Sequence, residues 1–567
     1  MSDSEPKLQI DSRNLAFRQL AEGIRAGGVK PAERMEQSTS CTDWSIKNRI
    51  IDEVPYSYKE YEYLIEPTNL MVPKFVVRKG AQLGWTESLG INRVLYGICI
   101  RRASAIYLLP TGDDVSDFSA ARMGPAINDS PGISTHFTQV NNVGLKRAGA
   151  VSLYLRGSNS RSKLKSVPAG ELYIDEYDEM APEMVELARK RLSGHKLKFE
   201  YNFSTPSIPD WGIDKEYIYS DQRMYAVPCP YCAKYQFMMW PDSITWDGRD
   251  PKSAVFKCTE CNHNWSLIDR AIAVAEGRWV ITNHAGAYPG YWISQLYSRA
   301  MSAPEILELG IAAEDNEIKK KEFMNSVLGM AYVPRGGRLT WAELNKSKTG
   351  PPMVLSTTIG CTMGVDVGSW LYYEIARWRG KRKEVVKVGK VKAFSELNTH
   401  MNNFSIYRCV VDANPERREA RRFANRYQGR VYLAFYPRSK EELKKEVAQW
   451  DDKKFTVNIA RTESLDITIG RYRGLEETVV LPVDIPDEYL QHHYNTVRLQ
   501  EEDDSGRTYS RYQETGPDHY LHASNYNDVA GRQTMSGYAL LQTVKARGHV
   551  NPDSRSIFNG QHNDYLN

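Results

Sequence analysis

A strand-like run, Phe75, Val76 and Val77, breaks at Lys79 into KGAQLGWT, an eight-residue stretch with two glycines that ends in a threonine. Such a loop can wrap a polyphosphate. Gly80 and Gly84 free the backbone, so that N–H groups running through Ala81, Gln82, Leu83 and Trp85 can point at phosphate oxygens, while Thr86 offers a hydroxyl to Mg²⁺. The regular G-x-x-x-x-G-K-[ST] pattern places its lysine directly before that hydroxyl, where this chain has Trp85. Lys79, at the loop's first position, is the ammonium that can reach the β- and γ-phosphates from the other side. The competing reading is an ordinary strand-to-helix turn.

Further along, Leu172, Tyr173 and Ile174 form an apolar strand that ends in Asp175 and Glu176. This is the chemistry ATP hydrolysis needs: Asp175 to hold Mg²⁺ through water, and Glu176 to orient and deprotonate the attacking water. An acidic helix N-terminus is the alternative, since Asp178 and Glu179 come next. Ser204 and Thr205, at the end of FEYNFST, supply hydroxyls at another strand end where a γ-phosphate is sensed. Arg122 is a candidate for a charge-stabilising arginine acting in cis, or an ordinary surface arginine.

A different chemistry stands at Cys229-Pro-Tyr-Cys232 and Cys258-Thr-Glu-Cys261. Two C-x-x-C knuckles among strand-like segments (QFMMW, SAVFK) read as a zinc ribbon, a closed four-thiolate Zn²⁺ site that holds fold rather than substrate. An iron–sulfur site, a redox pair, or His263 replacing one ligand are the other readings.

The elements that position these groups alternate. From 76 to 210 apolar strands are separated by helical stretches, which predicts a parallel sheet covered on both faces, with ligands at the C-terminal strand ends. Residues 50–70, rich in tyrosine, are expected to form a helix leading into the first core strand, with aromatics available to an adenine. Residues 270–350 read as a helical connection. At 567 residues, 41% hydrophobic and 25% charged, the chain has the composition of a globular protein of two or more domains. It contains no run of eighteen apolar residues and no basic-then-apolar N-terminus, so neither a membrane span nor a secretory signal is expected. The formal charge of +4 is too small to mark a nucleic-acid binder; the clusters RGSNSRSKLK (156–165) and ERREARRFANR (416–426) say more, though each also reads as a solvated face.

As an ordered set, these motifs resemble the large terminase subunit of tailed phages, in its lambda-like branch. The likeness rests on the early-loop lysine with an aromatic before the hydroxyl, on VPYSYKEYEYLIEP before the loop, and on YLRGSNSRSKLKSVPAGELYIDEYD through the acidic strand. It covers roughly residues 40 to 535 and extends to a second set of carboxylates. The resemblance implies an ASCE-type P-loop ATPase joined to an RNase H-like nuclease, an ATP-driven translocase for double-stranded DNA that also cuts concatemers. The expected partners are a small terminase subunit, a portal on a procapsid and further copies of the chain in a ring; the expected location is the host cytoplasm, outside the mature virion.

On that reading Asp366, in the apolar strand CTMGVDV before a glycine turn, is the first nuclease metal ligand, and Asp412, ending YRCVVD, the second. Two strand-borne carboxylates of this kind hold Mg²⁺ or Mn²⁺ ions about 3.5–4 Å apart. Family members place an Asp on a late helix three residues after a His, and His522 fills that slot here. Asp518, one helical turn earlier, is chosen as the third carboxylate, with His522 as auxiliary ligand and Asp528 as the alternative; a helix cap is the competing role for Asp518. The expected layout is an N-terminal appendage for the small subunit (1–40), an ATPase domain (41–350) with a zinc-ribbon-like insert (225–270) and the helical connection (270–350), a nuclease domain (351–535), and a portal-docking tail (536–567). The rival function is a zinc-ribbon DNA helicase or DNA-dependent ATPase without nuclease activity, and more distantly a zinc-ribbon nucleic-acid adaptor.

Overall fold

The structure, a computed structural model, describes residues 39–532 apart from 138–139, 166, 197, 438–445, 475–476 and 503–504. The expected N-terminal appendage, but for its last two residues, and the tail from 536 lie outside the described residues. The chain divides into two compact units, Met1–Tyr332 and Val333–Asn567. That division falls before the expected boundary at 350/351. Thr340 and Glu343 form a reciprocal cap that starts the helix Trp341–Lys346, and Leu339 and Leu344 are buried with Tyr472, Tyr489 and Leu490, so this stretch folds into the second unit.

The first unit is built on one twisted sheet with eleven strands among the described residues. The strands that matter are β1 (Lys74–Lys79), β2 (Ala105–Leu109), β3 (Val140–Asn142), β4 (Leu145–Ala148), β5 (Val151–Gly157), β6 (Glu171–Asp175), β7 (Phe199–Ser204), β8 (Arg223–Pro228), β9 (Tyr235–Phe237), β10 (Arg278–Val280) and β11 (Gly290–Ile293). They run β9-β8-β11-β1-β7-β6-β2-β5-β4-β3, with β10 also on β8. The seven from β8 to β5 are parallel. Every residue of β2, β6 and β11 is buried, as expected of strands covered on both faces. One strand, β7, lies between the loop-bearing β1 and the acid-bearing β6, the ASCE order. The sequence reading of 270–350 as a helical connection is corrected here: β10 and β11 join the sheet, and β11 pairs directly with β1. Residues 50–70 form no single helix; they hold a two-stranded hairpin and the short helical turns Glu62–Leu64 and Ile65–Asn69. QFMMW contributes only β9, which joins the main sheet, while a small three-stranded sheet (Ile244–Thr245, Val255–Lys257, Asn264–Trp265) lies beside the cysteines in sequence.

The second unit carries an eight-stranded mixed sheet among the described residues. β12 (Cys361–Val367) and β13 (Leu371–Arg379) form a hairpin, extended by β14 (Arg382–Val391); β15 (Ile406–Asp412) pairs parallel with β12, and β16 (Val431–Phe435) with β15. A second hairpin, Thr496–Glu502 with Thr508–Glu514, precedes a helix over 519–532. That helix packs its backbone onto β12 where Gly364 stands: a Cβ there would lie 2.0 Å from the Ala523 carbonyl oxygen and 2.3 Å from the Asn527 nitrogen. Only a hydrogen in place of a side chain allows so close an approach. No helix among the described residues is long and apolar enough to cross a membrane.

Candidate active sites

The loop between β1 and the next helix (Thr86–Arg93, continued by Val94–Cys99) turns through two left-handed residues, Gln82 (φ 56°) and Gly84 (φ 75°). Its first two amides are already engaged: Gly80 N–H donates to the Ile293 carbonyl of β11 (2.9 Å) and Ala81 N–H to that of Ser326 (2.7 Å). These bonds brace the loop from behind, so the amides left open to a ligand begin at Gln82. Gly80 is required by this bracing, since a Cβ would meet the Val327 carbonyl at 2.9 Å. Trp85 is 1% exposed and packs beside Trp279 and Tyr291. The residue in the usual lysine slot is thus part of the core.

Lys79 is the lysine that lines the cleft. Its Nζ lies 3.2 Å from Glu176 Oε1, at the mouth of a cleft of about 460 Å³ lined also by Gln82, Thr86, Arg122 and Thr205. Thr86 Oγ1 donates to Asp175 Oδ2 at 3.2 Å, and the Tyr107 hydroxyl of β2 donates to the same oxygen at 2.6 Å. Burial, with the neighbouring Glu176 charge, pushes the Asp175 carboxyl up to about 6, while Lys79, Tyr107 and Thr86 pull it down. A buried carboxylate held among hydroxyls and short of cationic charge fits a Mg²⁺ ion. Glu176 sits in left-handed backbone (φ 55°, ψ 52°), which turns its side chain back into the cleft, half in solvent; Ser204 Oγ reaches it at 3.4 Å. Arg122 lines the cleft but pairs with Glu87 at 2.8 Å. Tyr107 was not singled out from sequence, though its place inside AIYLLP, on the strand beside β6, is a signal in hindsight.

The four cysteines converge: their sulfurs lie within 4.8 Å of one another, with Cys229–Cys261 and Cys232–Cys258 both at 3.9 Å. Four thiolates about 2.3 Å from a tetrahedral Zn²⁺ stand about 3.8 Å apart. The amides of Tyr231, Glu260 and Cys261 point at sulfur (3.4 Å each), as they do around a bound thiolate. His263 stacks on Tyr231 (ring centroids 3.5 Å) and stands outside the sulfur cluster.

In the second unit, β12 and β15 run in parallel with Val365 opposite Val411, so the next residues, Asp366 near the end of β12 and Asp412 at the end of β15, stand on neighbouring strands side by side. The late helix brings the rest. His519 Nδ1 lies 2.9 Å from Asp366 Oδ2, and His522 Nε2 3.2 Å from Asp518 Oδ2. Burial pushes the Asp412 carboxyl up to about 6, with Asp366 adding to the push and His522 opposing it. His522 also feels Asp366 and Asp518, and His519 feels Asp366 and Asp518, so all five side chains share one electrostatic neighbourhood. Asp518 stands where a helix cap would, but the Tyr520 N–H is received by His492 Nδ1 (3.2 Å), and the buried Asp518 Oδ2 has His522 Nε2 as its partner. Three carboxylates in one neighbourhood, Asp366, Asp412 and Asp518, are of the chemistry that suits a divalent cation.

Asp528, the alternative ligand, is committed elsewhere. It is fully buried between Lys383 Nζ (2.9 Å) and Arg471 Nε (3.0 Å), which hold its carboxyl below its usual range against the effect of burial. Lys383 also meets Glu374 (3.1 Å), and Asn527 donates to Glu374 (2.9 Å), so this ion cluster locks the late helix onto the sheet. His519 and Glu514 were missed from sequence. His519 is signalled only by its place beside Asp518, and Glu514 is one acid in a hairpin rich in them.

Among known proteins, residues 50–279, which include all four clustered cysteines, match the family described as phage terminase large subunit gpA, ATPase domain. Of solved structures, the HK97 bacteriophage large terminase matches at 9% identity, covering 86% of this chain and 98% of that one with a TM-score of 0.50; at such identity the likeness is one of fold. Looser likenesses are a large terminase from a thermophilic bacteriophage (10% identity, 83% and 98% covered, TM-score 0.30) and the large terminase nuclease of the thermophilic phage G20c (11% identity, 32% and 94%, TM-score 0.22). No curated protein sequence matches the chain.

Proposed function

We propose that this chain is a phage large terminase subunit that hydrolyses ATP to drive double-stranded DNA into a procapsid and cuts that DNA at a metal-dependent centre in its second unit, a reading supported by the match of residues 50–279 to the terminase ATPase family and by the fold. The observation that carries the motor half is the convergence of Lys79, Thr86, Asp175 and Glu176 on one cleft. Lys79 and the amides from Gln82 onward hold the β- and γ-phosphates. Thr86 and Asp175 would hold Mg²⁺, which would neutralise charge on the phosphates. Glu176 orients the attacking water and takes its proton, with Ser204 and Thr205 reading whether the γ-phosphate is present.

For cutting, Asp366, Asp412 and Asp518 are the carboxylates that would hold Mg²⁺ or Mn²⁺, whose role is to activate a water and stabilise the leaving oxygen. Zn²⁺ on the four cysteines serves fold alone, since four thiolates leave no open position. DNA contacts go mainly to phosphates, because a translocase must tolerate every sequence, and affinity therefore falls with salt. In this reading the working form is a ring of copies docked on the portal in the host cytoplasm, with DNA presented by the small subunit. Two assays on the full chain test it: DNA-stimulated ATP turnover, and linearisation of a plasmid in Mg²⁺. Turnover without linearisation by any divalent ion would leave the DNA-dependent ATPase reading in its place, and absence of turnover would remove the motor.

A further inference from the structure

We propose that Tyr107 is a positioning residue for the motor's metal: its hydroxyl fixes the Asp175 carboxylate in the orientation that receives a nucleotide-bound divalent cation, and Gly90 stays glycine to make room for that hydroxyl. This rests on the motor reading and adds to it a residue from outside the glycine loop and the acidic strand end.

Register puts the two groups together. Tyr107 stands on β2 directly opposite Tyr173 of β6. Residues two apart on a strand share a face, so Asp175 lies on the same side of the sheet as Tyr173, about 6.6 Å further along and within reach of a ring planted opposite it. The Tyr107 hydroxyl donates to Asp175 Oδ2 at 2.6 Å, Thr86 Oγ1 donates to the same oxygen at 3.2 Å, and Oδ1 takes the Glu176 N–H at 3.1 Å. Lys79 makes its ion pair with Glu176. The carboxylate is therefore gripped by neutral donors, one from the sheet and one from the helix after the loop. Turning Oδ2 away from Thr86 would break the shorter bond to Tyr107 as well.

The ring itself is clamped. It is fully buried and stacked on Phe118, at the end of the helix Gly112–Phe118, with centroids 4.6 Å and planes 4° apart; Tyr173 and Phe203 also lie against it, each at 6.4 Å. A core position among these neighbours asks only for the ring, and phenylalanine would fill it without the cost of burying a hydroxyl. Asp175 is that hydroxyl's one hydrogen-bond partner among the described residues. Gly90, inside the helical segment Thr86–Arg93, supplies the space: a Cβ there would lie 2.3 Å from the Tyr107 hydroxyl oxygen but 3.1 Å from the nearest ring carbon. Glycine weakens a helix interior relative to alanine, and what alanine would strike here is the hydroxyl.

Hydrogen bonds behind a metal-holding carboxylate set its orientation and so its affinity for the ion. The ion arrives on the nucleotide. Tyr107 should therefore act on the part of nucleotide affinity that depends on Mg²⁺, and leave alone the part supplied by Lys79 and the loop amides.

Binding of a non-hydrolysable fluorescent ATP analogue to the zinc-loaded full-length protein, with and without Mg²⁺, tests this without reference to turnover. In Tyr107→Phe the gain in affinity that Mg²⁺ brings is expected to fall about tenfold, with affinity in the absence of Mg²⁺ unchanged. Turnover should fall as well, and excess Mg²⁺ should recover part of it. Gly90→Ala keeps the tyrosine but pushes its hydroxyl off the carboxylate, so it should lower the same gain, and both changes together should cost no more than Tyr107→Phe alone. An undiminished Mg²⁺ gain in Tyr107→Phe, an equal loss of affinity with and without the ion, or additive losses in the double variant would each overturn the assignment. Asp175→Asn judges the motor reading apart. If it abolishes the Mg²⁺ gain while Tyr107→Phe does not, only Tyr107 is misassigned; a wild type with no Mg²⁺ gain removes the ion from the motor reading, and the role of Tyr107 with it.

Discussion

At the glycine loop of the first unit, Asp175 and Glu176 face a lysine and hydroxyls from Thr86, Tyr107 and Ser204, with no histidine among their partners in the described residues. In the second unit, Asp366 and Asp518 face imidazoles. A lysine is a fixed charge that the incoming phosphates can take over, which suits a site that binds and releases a polyanion each cycle. Imidazoles can give up a proton and bind metal themselves, which suits a site that keeps cations and handles protons. The two units should therefore fail separately and under different conditions.

The sharpest break is in the second unit. Asp366→Ala and Asp412→Ala are each expected to bring plasmid cleavage to background while ATP turnover stays at the wild-type rate. Loss of both activities in either variant would mean that the centres do not act independently. Next in size is the first unit's mirror experiment: Glu176→Gln should retain ATP binding, because Lys79 and the loop amides are untouched, and lose roughly 10²–10⁴-fold in turnover with cleavage preserved. Near-normal turnover would deny Glu176 the role of base.

How far these residues could be read from sequence differed between the units for a physical reason. The loop and its acids lie at the ends of long apolar strands, and a strand end announces itself by an abrupt change from buried to polar residues; Lys79, Thr86, Asp175 and Glu176 were legible that way. Asp412 was legible on the same signal, and Asp366 as a carboxylate inside an apolar strand just before a glycine turn. Four-residue β11, GYWI, was not, because a short apolar run carries no period and its partner β1 is distant in the chain. The late helix was the hardest. Asp518, His519, His522, Asn527 and Asp528 crowd one short stretch, and only packing separates the acid paired with His522 from the acid buried against Lys383 and Arg471. The trade of Trp85 for a lysine also needed the structure, which shows the indole inside the core.

A smaller effect should come from the cysteine site, and it bears on the first unit alone. Removing zinc with a chelator, or Cys258→Ser, should lower the melting temperature of the first unit's transition by several degrees, since the ion's binding energy is folding energy for the strands around it. Turnover at low temperature should persist, and the second unit's transition should not move. Elemental analysis showing neither zinc nor iron in purified protein would refute the site outright.

Acid gives the last and smallest contrast. His493, fully buried with its Nδ1 2.8 Å from the Tyr489 carbonyl, has its pKa pushed down to about 3 by burial, with Lys383 adding to the shift; burial likewise lowers His492, to about 4. A histidine whose folded pKa lies below its unfolded value of about 6.5 supports the fold fully above that value and loses the support as pH falls toward the folded pKa. Each pH unit below about 6.5 therefore costs up to ~1.4 kcal/mol per such histidine in the second unit. His400, lowered by burial, adds to this acid loss, whereas His519, raised by its bond to Asp366, and His522, raised despite burial by Tyr436 and Asp518, run the other way, as does Asp412, raised by burial; the two most depressed histidines, His493 and His492, carry the larger part. Melting curves at pH 7, 6, 5 and 4 should show the second unit's transition falling, and His493→Gln should flatten that slope even if it lowers stability at pH 7. An undiminished slope in His493→Gln would place the acid sensitivity in other groups and remove this distinction between the units.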